Sequence, residues 1–203
     1  MATAERRLTR KGQAVRDRIV DAATELIAQH GVAGTNTDQV RQLAGVSGSQ
    51  LYHYFDSKQA LIRAVITRQA DAVGVTEGPA LGALDSFEAL RAWADAAIAR
   101  QREQDGRGSC DLTTLAGELA VHDEDSRAEI CQGFLRWKQV LSEGLHAMQR
   151  RGDLEPSANP DELAYALLAA HQGGVLLSQT LRDTTPLEAS LNAALTYIHT
   201  FAR

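Results

Sequence analysis

The chain of 203 residues holds only two cysteines, Cys110 and Cys131, lying 21 positions apart without a companion Cys/His cluster. That scarcity excludes a disulfide framework and a Cys/His zinc site, and Cys131 reads most simply as a small buried side chain on a helix. No run approaches the roughly 20 apolar residues that span a bilayer. The charged N-terminus lacks the apolar core of a signal peptide, so the expected location is the cytoplasm with no membrane partner. Reactive constellations are also missing. The histidines are scattered at His30, His53, His122, His146, His171 and His199, and no HExxH, nucleophile elbow or phosphate loop occurs. A small all-helical enzyme would need one of these, so the expectation is not an enzyme, with neither cofactor nor metal. Strand-like alternation, internal repeats and low-complexity tracts are absent. What is left is an all-α chain long enough to bury a good core.

Charge is unevenly spread. The net charge of −5 argues against nucleic acid only if taken over the whole chain. Residues 1–70 carry ten Lys/Arg against six Asp/Glu, a balance of +4, whereas residues 71–203 carry eleven against twenty, a balance of −9. A basic end for phosphates and an acidic remainder is the polarity of a protein that meets DNA at one end.

The most informative stretch within the basic end runs from Asn36 to Lys58. Asn36 or Thr37 can cap a first short helix, whose Val40, Leu43 and Ala44 are spaced to share one buried face. Gly45 suits the left-handed residue that ends a helix. Val46 then plugs the turn, and Ser47 caps a second helix anchored by Leu51 and Phe55. A short helix, a glycine-containing turn and another short helix form the plan of a helix-turn-helix DNA reader. Small and hydrogen-bonding side chains make up most of the second helix, and such groups approach base edges and phosphates closely. A capped helical hairpin with a polar solvent face is the bland alternative, and the combined spacing argues against it.

These residues carry a family resemblance. Gly31-Val32, Thr35 to Thr37, Val40, Leu43-Ala44-Gly45-Val46-Ser47, Leu51-Tyr52, Tyr54-Phe55, Ser57-Lys58 and Ala60-Leu61 resemble the DNA-binding domain of the TetR family of bacterial transcriptional regulators. The resemblance covers about 50 of the 203 residues. It implies an all-helical homodimer whose two readers enter successive major grooves of a double-stranded DNA operator, with a ligand-binding C-terminal domain. The expected division is 1-56 for the DNA-binding domain, including a flexible basic arm at 1-10, and 57-203 for ligand binding and dimerisation. Thr35, Thr37, Tyr52 and Lys58 are the expected phosphate contacts, with Ser47 as cap and further phosphate donor. Gly48, Ser49, Gln50 and His53 are the expected base-edge contacts, and Tyr54 fits either role or the core. The function implied is a ligand-responsive repressor on a palindromic operator, released by a small apolar effector. A dimeric adaptor that has lost DNA binding is the other reading, and the intact reader argues against it.

The rest of the chain reads as helices of an all-α protein, about nine in total. The first runs from about Gln13 to His30 on a stripe of Val15, Ile19, Ala22, Ala23, Leu26 and Ile27, with Arg16 and Arg18 facing away. A helix from Ser57 to about Val73 links the domains in the family. After a loop at Gly74, Gly78, Pro79 and Gly82, Asp85 or Ser86 caps a helix to about Gln104. A loop at 105–109 leads through Cys110-Asp111-Leu112 to a short helix, about Thr113 to Val121. That entry resembles the LmrA/YxaF-like branch, although Asp111 stands where the branch has proline. A long helix from about Asp125 to Arg151 carries the seam Ile130, Phe134, Trp137, Leu141, Leu145 and Met148. The last two begin at Pro160 and Pro186, the final one carrying Leu187 through Phe201.

Two further expectations concern the C-terminal part. Ala166, Ala169, Ala170, Gly173 and Gly174 permit close helix approach, so the last two helices are expected to form half of a four-helix homodimer interface. An effector pocket is expected among Trp93, Leu112, Leu115, Trp137, Leu141, Tyr165 and Leu168, with His171 and Gln172 as polar contacts. Few basic residues lie on these apolar faces, which favours a neutral or cationic effector. A tryptophan on a helical seam is more often core, and a lone histidine is usually satisfied internally.

Overall fold

The structure is a computed structural model that describes residues 9–76, 83–104 and 112–203. The basic arm before residue 9 lies outside the described residues, as do Gly78, Pro79 and Gly82, the 105–109 loop and Cys110-Asp111. Contacts divide the chain into two compact units, Met1–Arg68 and Gln69–Arg203. Nine helices occur among the described residues.

The first unit is built on α1 (Arg10–Gly34), α2 (Thr37–Ala44), α3 (Gly48–Tyr54) and the first turns of α4 (Lys58–Thr76). Thr9 caps α1 by accepting a bond from the Gly12 N–H at 3.1 Å. Gly31 interrupts α1 with φ 71° and ψ 171°, so the main helix stops there and a single turn continues to Gly34. Ile19, Val20, Ala23 and Ile27 of α1 are buried with Val40, Leu51, Phe55, Leu61, Val65 and Ile66. Each large side chain so buried contributes about 1.5–3 kcal/mol.

Gly74, expected to break the helix that follows the reader, stays within α4, since one glycine costs a helix only about 1 kcal/mol. Two further sequence expectations change here. Leu43 is 49% exposed rather than buried with Val40 and Ala44. Helices of about two turns have room for only a narrow buried stripe, and Val40 and Ala44, four apart, fill it. Arg16 does not face away: its guanidinium lies over the Phe55 ring, 5.2 Å from the centroid.

The second unit holds α5 (Phe87–Glu103), α6 (Leu112–Leu119), α7 (Glu124–Arg151), α8 (Pro160–Leu181) and α9 (Thr185–His199). Four of these starts have a local cause: Ser86, Asp123 and Asn159 cap α5, α7 and α8, and Pro160 and Pro186 fall in the first turns of α8 and α9. Trp93, Leu141, Leu145, Met148, Leu163, Leu167, Leu187, Leu191 and Ile198 form the centre of one core. Phe201 lies beyond α9 and packs on its edge. The C-terminal residues are fastened by an isolated antiparallel bridge between Leu154 and Ala202, with the Glu155 N–H donating to the Phe201 carbonyl at 2.8 Å.

Two glycines set the helix spacing. A Cβ on Gly144 would stand 1.9 Å from the Leu84 carbonyl oxygen, so the segment before α5 crosses α7 with backbone against backbone. A Cβ on Gly174 would stand 2.8 Å from Leu187 Cα, which makes Gly174 part of the α8–α9 packing, whereas Gly173 faces open space. Cys131 is exposed, contrary to expectation. It follows Ile130 by one residue, and a helix turns that position away from the α7 seam. No helix among the described residues is long and apolar enough to cross a membrane.

Candidate functional site

In the first unit, two reciprocal caps fix the reader. Asn36 accepts from the Gln39 N–H at 2.9 Å while Gln39 Oε1 accepts from the Asn36 N–H at 3.1 Å. Ser47 Oγ accepts from the Gln50 N–H at 3.1 Å, and Gln50 Oε1 accepts from the Ser47 N–H at 2.9 Å. Between the two boxes Gly45 takes φ 64° and ψ 41°, and its N–H bonds back to the carbonyls ending α2. Val46 fills the turn and Leu51 pins α3, both buried.

This leaves the rest of α3 to solvent. Ser49, Gln50, Tyr52 and His53 are exposed, Gly48 and Tyr54 are half-buried, and His53 meets Tyr54 edge-on with centroids 5.1 Å apart. Ser47 and Ser49 hydroxyls share a hydrogen bond at 3.0 Å. The cap occupies one lone pair of the Gln50 carbonyl oxygen, and its NH2 group is left to donate to an outside acceptor. Among the expected phosphate contacts, Tyr52 is exposed and Thr37 half-buried. Thr35 is 4% exposed and its hydroxyl donates to the Gly31 carbonyl at 2.9 Å, so that hydroxyl is turned inward. Lys58 is half-buried and donates one N–H to the Val32 carbonyl at 2.8 Å, which leaves two. α4 is also held to α1 by Arg68, whose guanidinium pairs with Asp21 and, at 2.7 Å, with Asp17.

In the second unit, Trp93, Trp137, Leu141 and Leu168 share one buried cluster, and His171 stands between the two indoles. The imidazole centroid lies 5.5 Å from that of Trp93 and 4.8 Å from that of Trp137. Burial lowers the His171 pKa to about 4, with the Arg100 charge acting in the same direction. The ring is therefore neutral near pH 7, and its Nδ1 is buried without a hydrogen-bond partner. Gln101 Nε2, at the end of the buried face of α5, is in the same condition. Gln101 escaped sequence reading, although a polar residue eight positions after Trp93 on an apolar stripe is the signal that marks it. Leu112 and Leu115 are buried on α6, where Leu112 fills the space over Gly133, and Gln172 accepts a hydrogen bond from Thr113.

Tyr165 is not part of this group. It is 52% exposed on another face of α8, with the Lys138 ammonium 5.3 Å from its ring centre. Lys138 also pairs with Asp161, which accepts from Ser142 at 2.6 Å as well, and these bonds hold the Asp161 carboxyl down to about 2. Among the described residues no group of His, Cys, Asp and Glu is placed to hold a metal ion.

Comparison with known proteins matches residues 19–65 to the family model described as bacterial regulatory proteins, tetR family. Residues 86–192 match the model described as transcriptional regulator LmrA/YxaF-like, C-terminal domain. The chain is 27% identical to the HTH-type transcriptional regulator LmrA of Bacillus subtilis over 180 residues, covering 85% of this chain and 90% of LmrA. It is 25% identical to the HTH-type transcriptional repressor DhaR of Mycobacterium sp. over 179 residues, 87% of this chain and 88% of DhaR. A TetR transcriptional regulator from Chloroflexus aurantiacus superposes with a TM-score of 0.80 at 26% identity, over 96% of this chain and 99% of that one.

Proposed function

The chain belongs to the TetR family of helix-turn-helix transcriptional regulators, with a C-terminal domain of the LmrA/YxaF-like kind, and from that premise we propose that it is an effector-released repressor. In this reading a cytoplasmic homodimer sets one α3 into each of two successive major grooves of a palindromic operator. The observation that carries it is the division of α3: Leu51 is buried, while Ser49, Gln50, Tyr52 and His53 face solvent on a helix capped at its start. Ser49, Gln50 and His53 meet base edges, and Gly48 lets the helix approach closely. Tyr52, Thr37 and Ser47 hold phosphates, joined by the two remaining N–H groups of Lys58. Tyr54 packs beside His53. Thr35 acts indirectly, fixing the entry to α2.

The dimer reading is supported by apolar side chains left on the last two helices. Tyr165, Leu176, Leu177 and Leu181 of α8 and Tyr197 of α9 are all at least half exposed, and exposed Gly173, Ala189 and Ala193 leave room for a close partner. The effector reading rests on the aromatic cluster around His171, where Leu141 and Leu168 supply apolar walls and Gln101 and His171 hold unused hydrogen-bonding capacity. With Leu112, Leu115 and Gln172 of the neighbouring turns, it suits a small, largely apolar and uncharged molecule. Release requires that the effector bind the DNA-incompetent arrangement more tightly, since only differential affinity shifts an equilibrium.

Fluorescence anisotropy against DNA from upstream of the protein's own gene, at several salt concentrations and beside a random duplex, tests this. The expected result is a site whose affinity falls with salt yet stays well above random DNA. Absence of binding at low salt refutes the proposal.

A further inference from the structure

We propose a second small-molecule site, apart from the aromatic cluster, that takes an apolar monocarboxylate in the cleft between the start of α5 and the end of α9. The cleft has a volume of about 410 Å³ and is lined by Phe87 and Arg91 of α5 with Leu195, Thr196, His199 and the following Thr200. That volume falls within the ~300–1,000 Å³ typical of small-ligand clefts.

Its lining separates into a charged end and an apolar wall. Arg91 donates from Nη1 to Asn192 Oδ1 at 2.6 Å, and the same nitrogen stands 4.0 Å from Asp95. Both contacts use Nη1, so the Nε–Nη2 edge of the guanidinium has no partner among the described residues. That edge offers two parallel N–H groups, the geometry that a carboxylate accepts bidentately. The bond to Asn192 holds the Nη1 end of the guanidinium. Asp95 is a weak competitor, since its side chain is 63% exposed at the outer limit of an ion pair.

The remaining lining does not add to the anion preference that Arg91 supplies. Thr196 and Thr200 donate their hydroxyl protons to the Asn192 and Tyr197 carbonyls at 2.8 and 2.6 Å, and so offer a ligand lone pairs only. His199 packs edge-on against Phe87 with centroids 4.7 Å apart. Phe87 and the buried Leu195 provide the apolar wall. Residues 71–203 carry a net −9, so long-range attraction does not favour an anion and recognition rests on Arg91 itself. The cleft lies outside the Trp93–Trp137–His171 group, so the proposal stands independently of the operator and effector readings.

The test is a saturation-transfer NMR titration of the full-length protein with hexanoate, with hexanol and hexylammonium as controls. Hexanoate is expected to bind saturably in the millimolar range, with both controls at least about tenfold weaker. Arg91→Gln should weaken hexanoate at least about tenfold. Thr196→Phe, which fills the cleft and leaves the charge in place, should do the same. Helical content and melting of each variant are checked by circular dichroism, and Thr196→Phe decides if Arg91→Gln fails to fold. Saturable binding that survives Thr196→Phe, equal binding of hexanol, or no saturable hexanoate binding overturns the proposal.

Discussion

Gln50→Glu separates two jobs that one side chain performs. Gln50 Oε1 closes the cap by accepting from the Ser47 N–H at 2.9 Å, and its NH2 group faces solvent on the exposed side of α3. Glutamate keeps the accepting oxygen and is a usual residue at this capping position, with its charge at the favourable end of the helix dipole. Stability should therefore stay within about 0.5 kcal/mol of wild type. DNA binding should not. Loss of a donor to a base edge costs about 1–3 kcal/mol per half-site. Two half-sites under one dimer double this to roughly 2–6 kcal/mol, or about 30-fold to 20,000-fold in affinity. Gln50→Ala serves as the contrast, since it loses the donor and one capping bond and should melt about 0.5–1 kcal/mol sooner. Urea unfolding gives the stability, and anisotropy on operator and random duplex gives the ratio that isolates base readout from phosphate repulsion. A Gln50→Glu protein that binds operator as wild type does, with an unchanged ratio, would refute the assignment and leave Gln50 as a cap alone.

Two glycines should fail for different reasons. Gly45→Ala meets no atom within 4 Å but must hold φ near 64°, so urea unfolding should show a loss of about 1–2 kcal/mol. Gly144→Ala places Cβ against the Leu84 carbonyl and should exceed the ~1–3 kcal/mol of ordinary overpacking, with loss of cooperative unfolding of the second unit. His171, held at about 4, remains neutral in the fold while the unfolded chain takes up a proton, so stability should fall as pH drops from about 6.5 toward 4, by at most roughly 3 kcal/mol. Melts followed through Trp93 and Trp137, the chain's two tryptophans, should show that slope flattened in His171→Phe; an unchanged slope assigns it elsewhere. Asp161 has the same sign in a lower window: its depressed pKa gives stability that is present above about pH 4 and lost toward about pH 2. Asp161→Asn should be less stable at neutral pH and converge on wild type in acid, as followed by circular dichroism.

Local chemistry made most of the helices legible. Asn36 with Gln39, Ser47 with Gln50, Ser86, Asp123 and Asn159 cap where short-range patterns place caps, because capping depends on residues within one turn. The same locality exposes its limit at Leu43 and Cys131. Periodicity says which residues share a face, but only packing says how wide the buried part of that face is. Gly144 and Gly174 look alike in sequence to the open Gly173, and they differ only in what crosses them.

The sequence by itself determined the all-α architecture, the two-helix reader with Gly45 in its turn, and the charge polarity between the basic and acidic parts. These follow from capping, periodicity and composition, which are properties of neighbouring residues. Tertiary structure alone decided that Thr35 turns its hydroxyl inward, that Lys58 spends a proton on Val32, and that Tyr165 leaves the aromatic cluster that His171 joins. It also brought Arg91 beside Asn192, 101 residues away. Such partners are chosen by where whole helices cross, and no window of local sequence contains that information.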